Sequence, residues 1–210
     1  METVKLPENE IICGDCLSVM RDWPDGCVDL VLTDPPYPDA HVERYGYKKN
    51  LVWPLYDFSC RQLVFWTAKE DFPLDYSAIH IWDKKVGCGS WYERIFERNG
   101  GIEYKVYRNY LINSTVAASY TGDVWTEHPS QKPIALILKL VEQYSKPDDL
   151  ILDPFCGSGT TCVAAKMLGR RYIGIDISPE YCQIARDRLR AVDTGVPVKE
   201  ARAGQGALFE

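Results

Sequence analysis

The carboxyl ends of two short apolar runs constrain this chain most. Residues 28–32 are short, apolar and β-branched, which suits a strand buried on both faces of a sheet. They lead directly into Thr33-Asp34-Pro35-Pro36-Tyr37. Residues 150–152 lead in the same way into Asp153-Pro154-Phe155-Cys156-Gly157-Ser158-Gly159-Thr160. Further strands are expected at 11–12, 62–67, 77–82 and 172–175, and a half-exposed strand or hairpin arm at 102–107, where apolar and polar side chains alternate. Ile134, Ile137, Leu138, Val141 and Tyr144 have helical spacing, with Pro133 suited to the first turn. A helix is expected over about 159–168. Another runs to about residue 192 from Ser178-Pro179-Glu180, which supplies a cap, a first-turn proline and an acidic first turn. Alternating strands and helices predict an α/β fold with a wound, mostly parallel sheet and helices on both faces. Such sheets bind ligands at the carboxyl ends of strands where the strand order reverses, so these two runs are the candidate site.

Composition sets the remaining bounds. With 46% hydrophobic residues in 210, the chain can bury one sizeable core, here assigned to a single domain over 1–192. Residues 193–210, rich in Gly, Ala and charge, are expected to be a flexible tail. No 18-residue apolar run and no basic-then-apolar leader occurs, so neither a membrane span nor secretion is expected. The eight cysteines are scattered. They lack the paired clusters or histidine partners of a zinc site, so no metal is assigned and reduced thiols in a cytoplasm are expected. A net charge of −6 is unfavourable for holding phosphates, but Lys/Arg and Asp/Glu balance at eleven each over 38–126, which leaves room for a local basic groove. That stretch also holds 18 of the 25 aromatic residues. Most would pack a core and only a few would be free to stack on bases.

Three competing motifs fail at the glycine segment. A dinucleotide fingerprint needs a third glycine where Cys162 stands, a phosphate-binding loop needs a lysine that is missing, and a nucleophile elbow needs glycine where Cys156 stands. What remains is a tight turn from strand to helix, whose N–H groups and positive helix end can receive a carboxylate. Asp176, ending the next strand, is placed to accept hydrogen bonds from a ribose. S-adenosylmethionine carries both a carboxylate and a ribose.

These segments together resemble the DNA amino-methyltransferases, which methylate the exocyclic nitrogen of adenine or cytosine. Asp34-Pro35-Pro36-Tyr37 is similar to their catalytic tetrapeptide, 153–161 to their cofactor loop, and Asp176 to their ribose-binding acid. Ile12-Cys13-Gly14-Asp15-Cys16 resembles the segment beside the cofactor's adenine, and His128-Pro129-Ser130-Gln131-Lys132-Pro133 the run before the cofactor loop. The catalytic motif precedes the cofactor motif, the order of the circularly permuted β-class. The resemblance implies a Rossmann-like methyltransferase fold, S-adenosylmethionine as cofactor, DNA as partner, and roles such as restriction–modification. It implies catalysis by Asp34, Pro35, Pro36 and Tyr37, and cofactor binding by Asp15, Cys16, Lys132, Asp153, Phe155, Gly157, Ser158, Gly159, Thr160 and Asp176. For Asp15 a helix cap is an equal reading, and for Lys132 a backbone or side-chain contact to the cofactor's carboxylate is implied. His41, His80 and His128 have no ligand or nucleophile arrangement and receive no role.

An aromatic amine is a poor nucleophile because its lone pair is delocalised into the ring. Binding must favour a pyramidal nitrogen. Asp34 and the Pro35 carbonyl are suited to accept the two N–H groups, with φ fixed by both prolines and Tyr37 stacking on a flipped-out base. The aspartate in the tetrapeptide resembles the adenine enzymes more than the cytosine ones, so adenine N6 is the expected target. Cytosine N4, an RNA adenine and a non-catalytic DNA- or clamp-associated module are the alternatives. Target recognition is assigned within 38–126, with Arg44, Lys48 and Lys49 as candidate phosphate contacts. Gln205-Gly206-Ala207-Leu208-Phe209 resembles a sliding-clamp docking peptide. A monomer or homodimer is expected.

Overall fold

The computed structural model describes residues 5–36, 55, 58–84, 92–108 and 131–196. Their elements are β1 (Glu10–Cys13), α1 (Cys16–Met20), β2 (Leu30–Thr33), β3 (Arg61–Trp66), β4 (Ala78–Asp83), β5 (Tyr92–Arg98), β6 (Val106–Arg108), α2 (Ile134–Tyr144), β7 (Leu150–Asp153), α3 (Thr160–Met167), β8 (Arg171–Asp176) and α4 (Pro179–Thr194). One eight-stranded sheet runs in the order β1-β8-β7-β2-β3-β5-β4-β6. Every neighbouring pair is parallel except β3–β5 and β4–β5, so β5 alone runs against the sheet. From β7 the chain winds outward through β8, and from β2 it winds the other way through β3. The strand order therefore reverses between β7 and β2.

Strands β2 and β7 are buried along their full length, as apolar runs covered on both faces must be. Their side chains alternate between two apolar layers. Leu30, Leu32, Leu63, Phe65 and Ile151 pack with α2, α3 and α4. Val31, Val64, Trp66, Leu150 and Leu152 pack on the other face with Cys16 and Met20 of α1, Leu55, Phe58 and Leu74. Among the described residues that second face carries only the five-residue α1 as a helix, and chain segments complete the cover.

Local signals place the helix ends. Ser178 Oγ accepts from the N–H of Tyr181 at 3.3 Å, Pro179 opens α4, and Gly195 closes it at φ 66°. Pro133 caps α2 instead of entering its first turn, because its backbone is extended at ψ 126°. The expected strand at 102–107 is shorter and shifted. Only Val106–Arg108 pairs, in parallel with β4, while Ile102 and Tyr104 stand exposed beside this edge.

β5 went unread in the sequence. It lies between β3 and β4 in the sheet centre, yet reads Tyr-Glu-Arg-Ile-Phe-Glu-Arg. Its buried charges are matched by distant groups. Glu97 takes the His80 imidazole at 2.8 Å, the N–H of Gly101 at 3.0 Å and Arg61 at 3.0 Å; Arg98 donates to the Leu55 carbonyl and to Gln62. His80 also accepts from the N–H of Lys105 at 3.1 Å, so it is a buried structural histidine. Four of the sheet's strands, β3 to β6, lie inside 38–126, the stretch expected to include the target-recognition insert.

No helix among the described residues is long and apolar enough to cross a membrane. The tail peptide Gln205–Phe209, Tyr37, His41, His128 and the basic loop with Arg44, Lys48 and Lys49 lie outside the described residues.

Candidate active site

The parallel register of β2 and β7, Leu30 with Ile151 and Val31 with Leu152, puts Thr33 and Asp153 side by side. The Thr33 hydroxyl donates to Asp153 Oδ1 at 2.7 Å, and Thr161, in the first turn of α3, donates to the Leu32 carbonyl at 3.3 Å. The end of β2 is thereby bonded to both sides of the glycine turn. A second tie runs through consecutive residues: Ser158 Oγ donates to Gln131 Oε1 at 2.9 Å, and Lys132 forms an ion pair with Asp34. The structure thus brings Asp34 and the 157–160 turn together at the point where the strand order reverses.

Burial is the main influence on Asp153 and pushes its carboxyl up to about 6, although the Thr33 and Thr161 hydroxyls and the Phe155 N–H pull it down. The sign for stability follows. The folded state holds the proton more tightly than the unfolded chain, so this group's contribution is fully present below the unfolded value of 3.8 and is lost as pH rises through about 6. Asp153→Asn keeps an acceptor for Thr33 and cannot ionise. Its stability relative to wild type is expected to improve by roughly 2 kcal/mol between pH 4 and pH 7, measured by urea unfolding at each pH. A difference that stays constant across that range would refute the assignment.

The glycine turn is rigid for reasons in its own backbone and in α4. Gly157 and Gly159 sit at φ 51° and 80°, a region that favours glycine. The N–H of Gly157 donates to Asp176 Oδ2 at 2.9 Å, that of Phe155 to Asp153 Oδ1 at 3.2 Å, and that of Cys156 to the Ile175 carbonyl at 2.9 Å. The N–H of Gly159 donates to the Cys156 carbonyl at 2.7 Å, so four amides of the turn are engaged within the protein. Arg188 of α4, only 1% exposed, donates to the Ser158 carbonyl at 2.7 Å and to Ser158 Oγ and Thr160 Oγ1 at 3.0 Å. Sequence reasoning missed this clamp. The available signal was an arginine three residues after Ala185, on the stripe of α4 that otherwise carries Cys182, Ala185 and Leu189 into the core. Asp176 is buried and its carboxyl is raised by desolvation, against the pull of the Ser178 and Gly157 N–H groups. Ile177, immediately after it, is 52% exposed.

Lys132 lies over the ring of Phe65, its ammonium 5.1 Å from the centroid, between the carboxylates of Asp34 and Glu93. Its Nζ is 3.4 Å from Glu93 Oε2, while Lys84 pairs with the other oxygen, Oε1. Burial would lower the Lys132 pKa, but Asp34 and Glu93 outweigh it and hold the ammonium above its ordinary range. Burial likewise opposes ionisation of Glu93, and the two lysines reverse that effect and bring its carboxyl below the ordinary value. Lys132 was expected at the cofactor's carboxylate, with either its backbone or its side chain. Its side chain is instead drawn to these two acids, because a buried cation is tolerated only where it is paired.

The remaining expected residues divide by environment. Asp15 caps α1, accepting from both the N–H and the hydroxyl of Ser18 at 2.9 Å. Cys16 is buried in the second apolar layer, where desolvation pushes its thiol up to about 11. Phe155 is half-buried against the same layer, and Pro35 is buried directly after Asp34.

A family model described as DNA methylase matches residues 61–187, more than half of the chain. This chain belongs to the DNA methylase family. Among its relatives, the type II methyltransferase M2.DpnII of Streptococcus pneumoniae is 36% identical over 163 residues, covering 71% of this chain and 54% of the relative. The DNA adenine methyltransferase YhdJ of Escherichia coli K12 is 28% identical, covering 85% of this chain and 82% of the relative. The solved structure of PvuII DNA methyltransferase (cytosine-N4-specific) superposes with a TM-score of 0.65 at 15% identity, over 92% of this chain and 89% of that one. That likeness confirms the Rossmann-like methyltransferase fold. The chain spans about half the length of M2.DpnII but most of YhdJ and of the PvuII enzyme.

Proposed function

We propose that this chain is an S-adenosylmethionine-dependent DNA methyltransferase acting on the N6 amine of a flipped-out adenine. The observation that carries the reading is the joining of Asp34 to the 157–160 turn by Gln131 and Lys132, at the reversal of strand order. The residues present fit the cofactor. Glycines with positive φ open α3, a buried acid ends β8, and Ile177 offers an exposed apolar side chain beside that acid to an adenine ring. Asp176 would take the ribose hydroxyls, since each carboxylate oxygen accepts more than one donor. When bound, S-adenosylmethionine supplies an electrophilic methyl group on a sulfonium.

The protein's own part is orientation and charge. Asp34 and the Pro35 carbonyl accept the two amine hydrogens, which directs the nitrogen lone pair toward the methyl. Pro35 and Pro36 hold that backbone acceptor in place, and Tyr37 stacks on the base. Lys132 stays protonated, held so by Asp34 and Glu93, so it is not the base that removes the amine's proton. Asp15 and Cys16 act through their segment's backbone, because one side chain is a cap and the other is core.

Adenine is preferred to cytosine because the tetrapeptide begins with aspartate and because YhdJ, a relative over most of its length, is named an adenine enzyme. Transfer of a labelled methyl to duplex DNA, single-stranded DNA or RNA, followed by digestion to nucleosides, tests the reading. N6-methyladenine from DNA is the expected product. N4-methylcytosine, a labelled RNA nucleoside or no transfer would each replace it with one of the alternatives. To the same reading belong work in a reducing cytoplasm, where the seven described cysteines persist as free thiols, and a monomeric or homodimeric state. Docking of Gln205–Phe209 on a sliding clamp is a separate part of it, tested by clamp binding of wild type against a Leu208/Phe209 alanine double variant.

A further inference from the structure

Charged groups cross the carboxyl edge of the sheet in an alternating row. Asp34 follows β2, the Lys132 ammonium rests over Phe65 of β3, Glu93 stands at the start of β5, and Lys84 follows β4 with its ammonium 5.0 Å from the Trp82 ring centroid. The strands β2, β3, β5 and β4 are neighbours in that order, so the row follows the sheet itself. All four side chains are at least three-quarters buried. Phe65 and Trp82, the rings beneath the two lysines, meet edge to face at 6.4 Å. Neither Glu93 nor Lys84 lies in the motifs that carry the catalytic or cofactor reading.

We propose that Glu93, braced by Lys84, is a positioning residue for methyl transfer: it anchors the Lys132 ammonium at a fixed point and so sets the rotation of the Asp34 carboxylate toward the base amine. A lysine stem is flexible, and one carboxylate would let it follow any movement of Asp34. The second carboxylate, on a central strand, removes that freedom. Glu93 also sets the local charge. Asp34, Lys132, Glu93 and Lys84 together sum to zero, so the row sets no net positive charge against an amine that becomes positive as the methyl arrives. Lys84 keeps Glu93 ionised and in place. The proposal rests on the reading of Asp34 as the residue that orients the amine.

Among the described residues, the charged groups around the Lys132 ammonium are Asp34 after β2 and Glu93 on β5, with Asp153 of β7 beyond Asp34 and Lys84 beyond Glu93. Glu93→Gln keeps the shape and removes the charge. Lys132 then has one carboxylate to set against its burial, so its deprotonation moves to lower pH. The alkaline limb of the kcat profile moves with it.

The test compares wild type, Glu93→Gln, Glu93→Asp and Lys84→Met with an adenine-containing DNA oligomer as substrate. Glu93→Gln is expected to lower kcat at least about tenfold, with KM for DNA and calorimetric affinity for S-adenosylmethionine within about twofold of wild type. Glu93→Asp recovers part of that loss, and Lys84→Met shows a smaller loss in the same direction. Equal kcat in Glu93→Gln and wild type overturns the proposal. So does a loss confined to melting temperature and cofactor affinity, which marks a merely structural role. The Lys132 titration, followed by NMR of a 15Nζ-labelled lysine, gives a readout that needs no activity. A midpoint unchanged in Glu93→Gln overturns the proposal even if wild type methylates nothing, an outcome that would separately remove the functional reading.

Discussion

Replacing Asp34 with alanine is expected to slow methyl transfer by about 10²–10⁴-fold, while affinity for S-adenosylmethionine changes by less than about threefold. Two losses combine. The amine loses the acceptor that draws its hydrogens away from the ring plane, so the lone pair is no longer directed. The Lys132 ammonium also loses a partner and stands near a nitrogen that is becoming positive, with Glu93 as its remaining counter-ion. Asp34→Asn recovers little, because its amide presents N–H groups where the amine needs an acceptor. The glycine turn and Asp176 keep the bonds made through Thr33, Thr161, Arg188 and the Gly157 N–H, so cofactor affinity is expected to hold. Single-turnover transfer of a labelled methyl, paired with calorimetric cofactor binding, reads both quantities. A rate within threefold of wild type in Asp34→Ala would remove this carboxylate from the chemistry.

The second large effect is expected at Gly159. Its φ of 80° costs an alanine about 1–2 kcal/mol, and an added Cβ would lie 2.7 Å from Ala185 Cβ and 3.2 Å from Ala185 Cα. Ala185 is part of α4 and fully buried, so relief requires moving a helix and not one side chain. Overpacking of this kind adds about 1–3 kcal/mol. Gly159→Ala is therefore expected to destabilise the fold by about 2–5 kcal/mol, lowering Tm by roughly 5–15 °C. Cofactor affinity should fall with it, because Arg188 on the same helix fixes Ser158 and Thr160. A double-mutant cycle with Ala185→Gly separates the causes. The contact part should be recovered and the φ part should remain. No coupling between the two sites would show that the close approach contributes nothing.

Much of the fold was legible in the chain. Apolar β-branched runs identified β2, β7 and β8, since a strand buried on both faces leaves no place for polar residues. Ser178 and Pro179 placed the start of α4 because a cap works through bonds to its own helix. The candidate site was legible where it rests on short segments, as at Asp34 and the glycine turn. β5 was illegible because Glu93, Glu97 and Arg98 look like surface residues until Lys132, His80 and Gln62 are brought to them. Arg188 was hidden in the same way, its acceptors lying 28 and 30 residues back in the chain. Thr33 and Thr161 carried no signal at all, because their bonds to Asp153 and Leu32 each span more than a hundred residues.

By itself, then, the sequence determined what local forces determine: which runs are strands, where helices begin, and that an acid with a diproline and a glycine turn end two buried strands. Tertiary structure alone decided which charges meet. Strand order put Glu93 beside Lys132, α4 delivered Arg188 to the glycine turn, and the side chain of Lys132 went to Asp34. A buried charge is stable only with a partner, and the partner is selected by where the whole sheet places it, not by its distance along the chain.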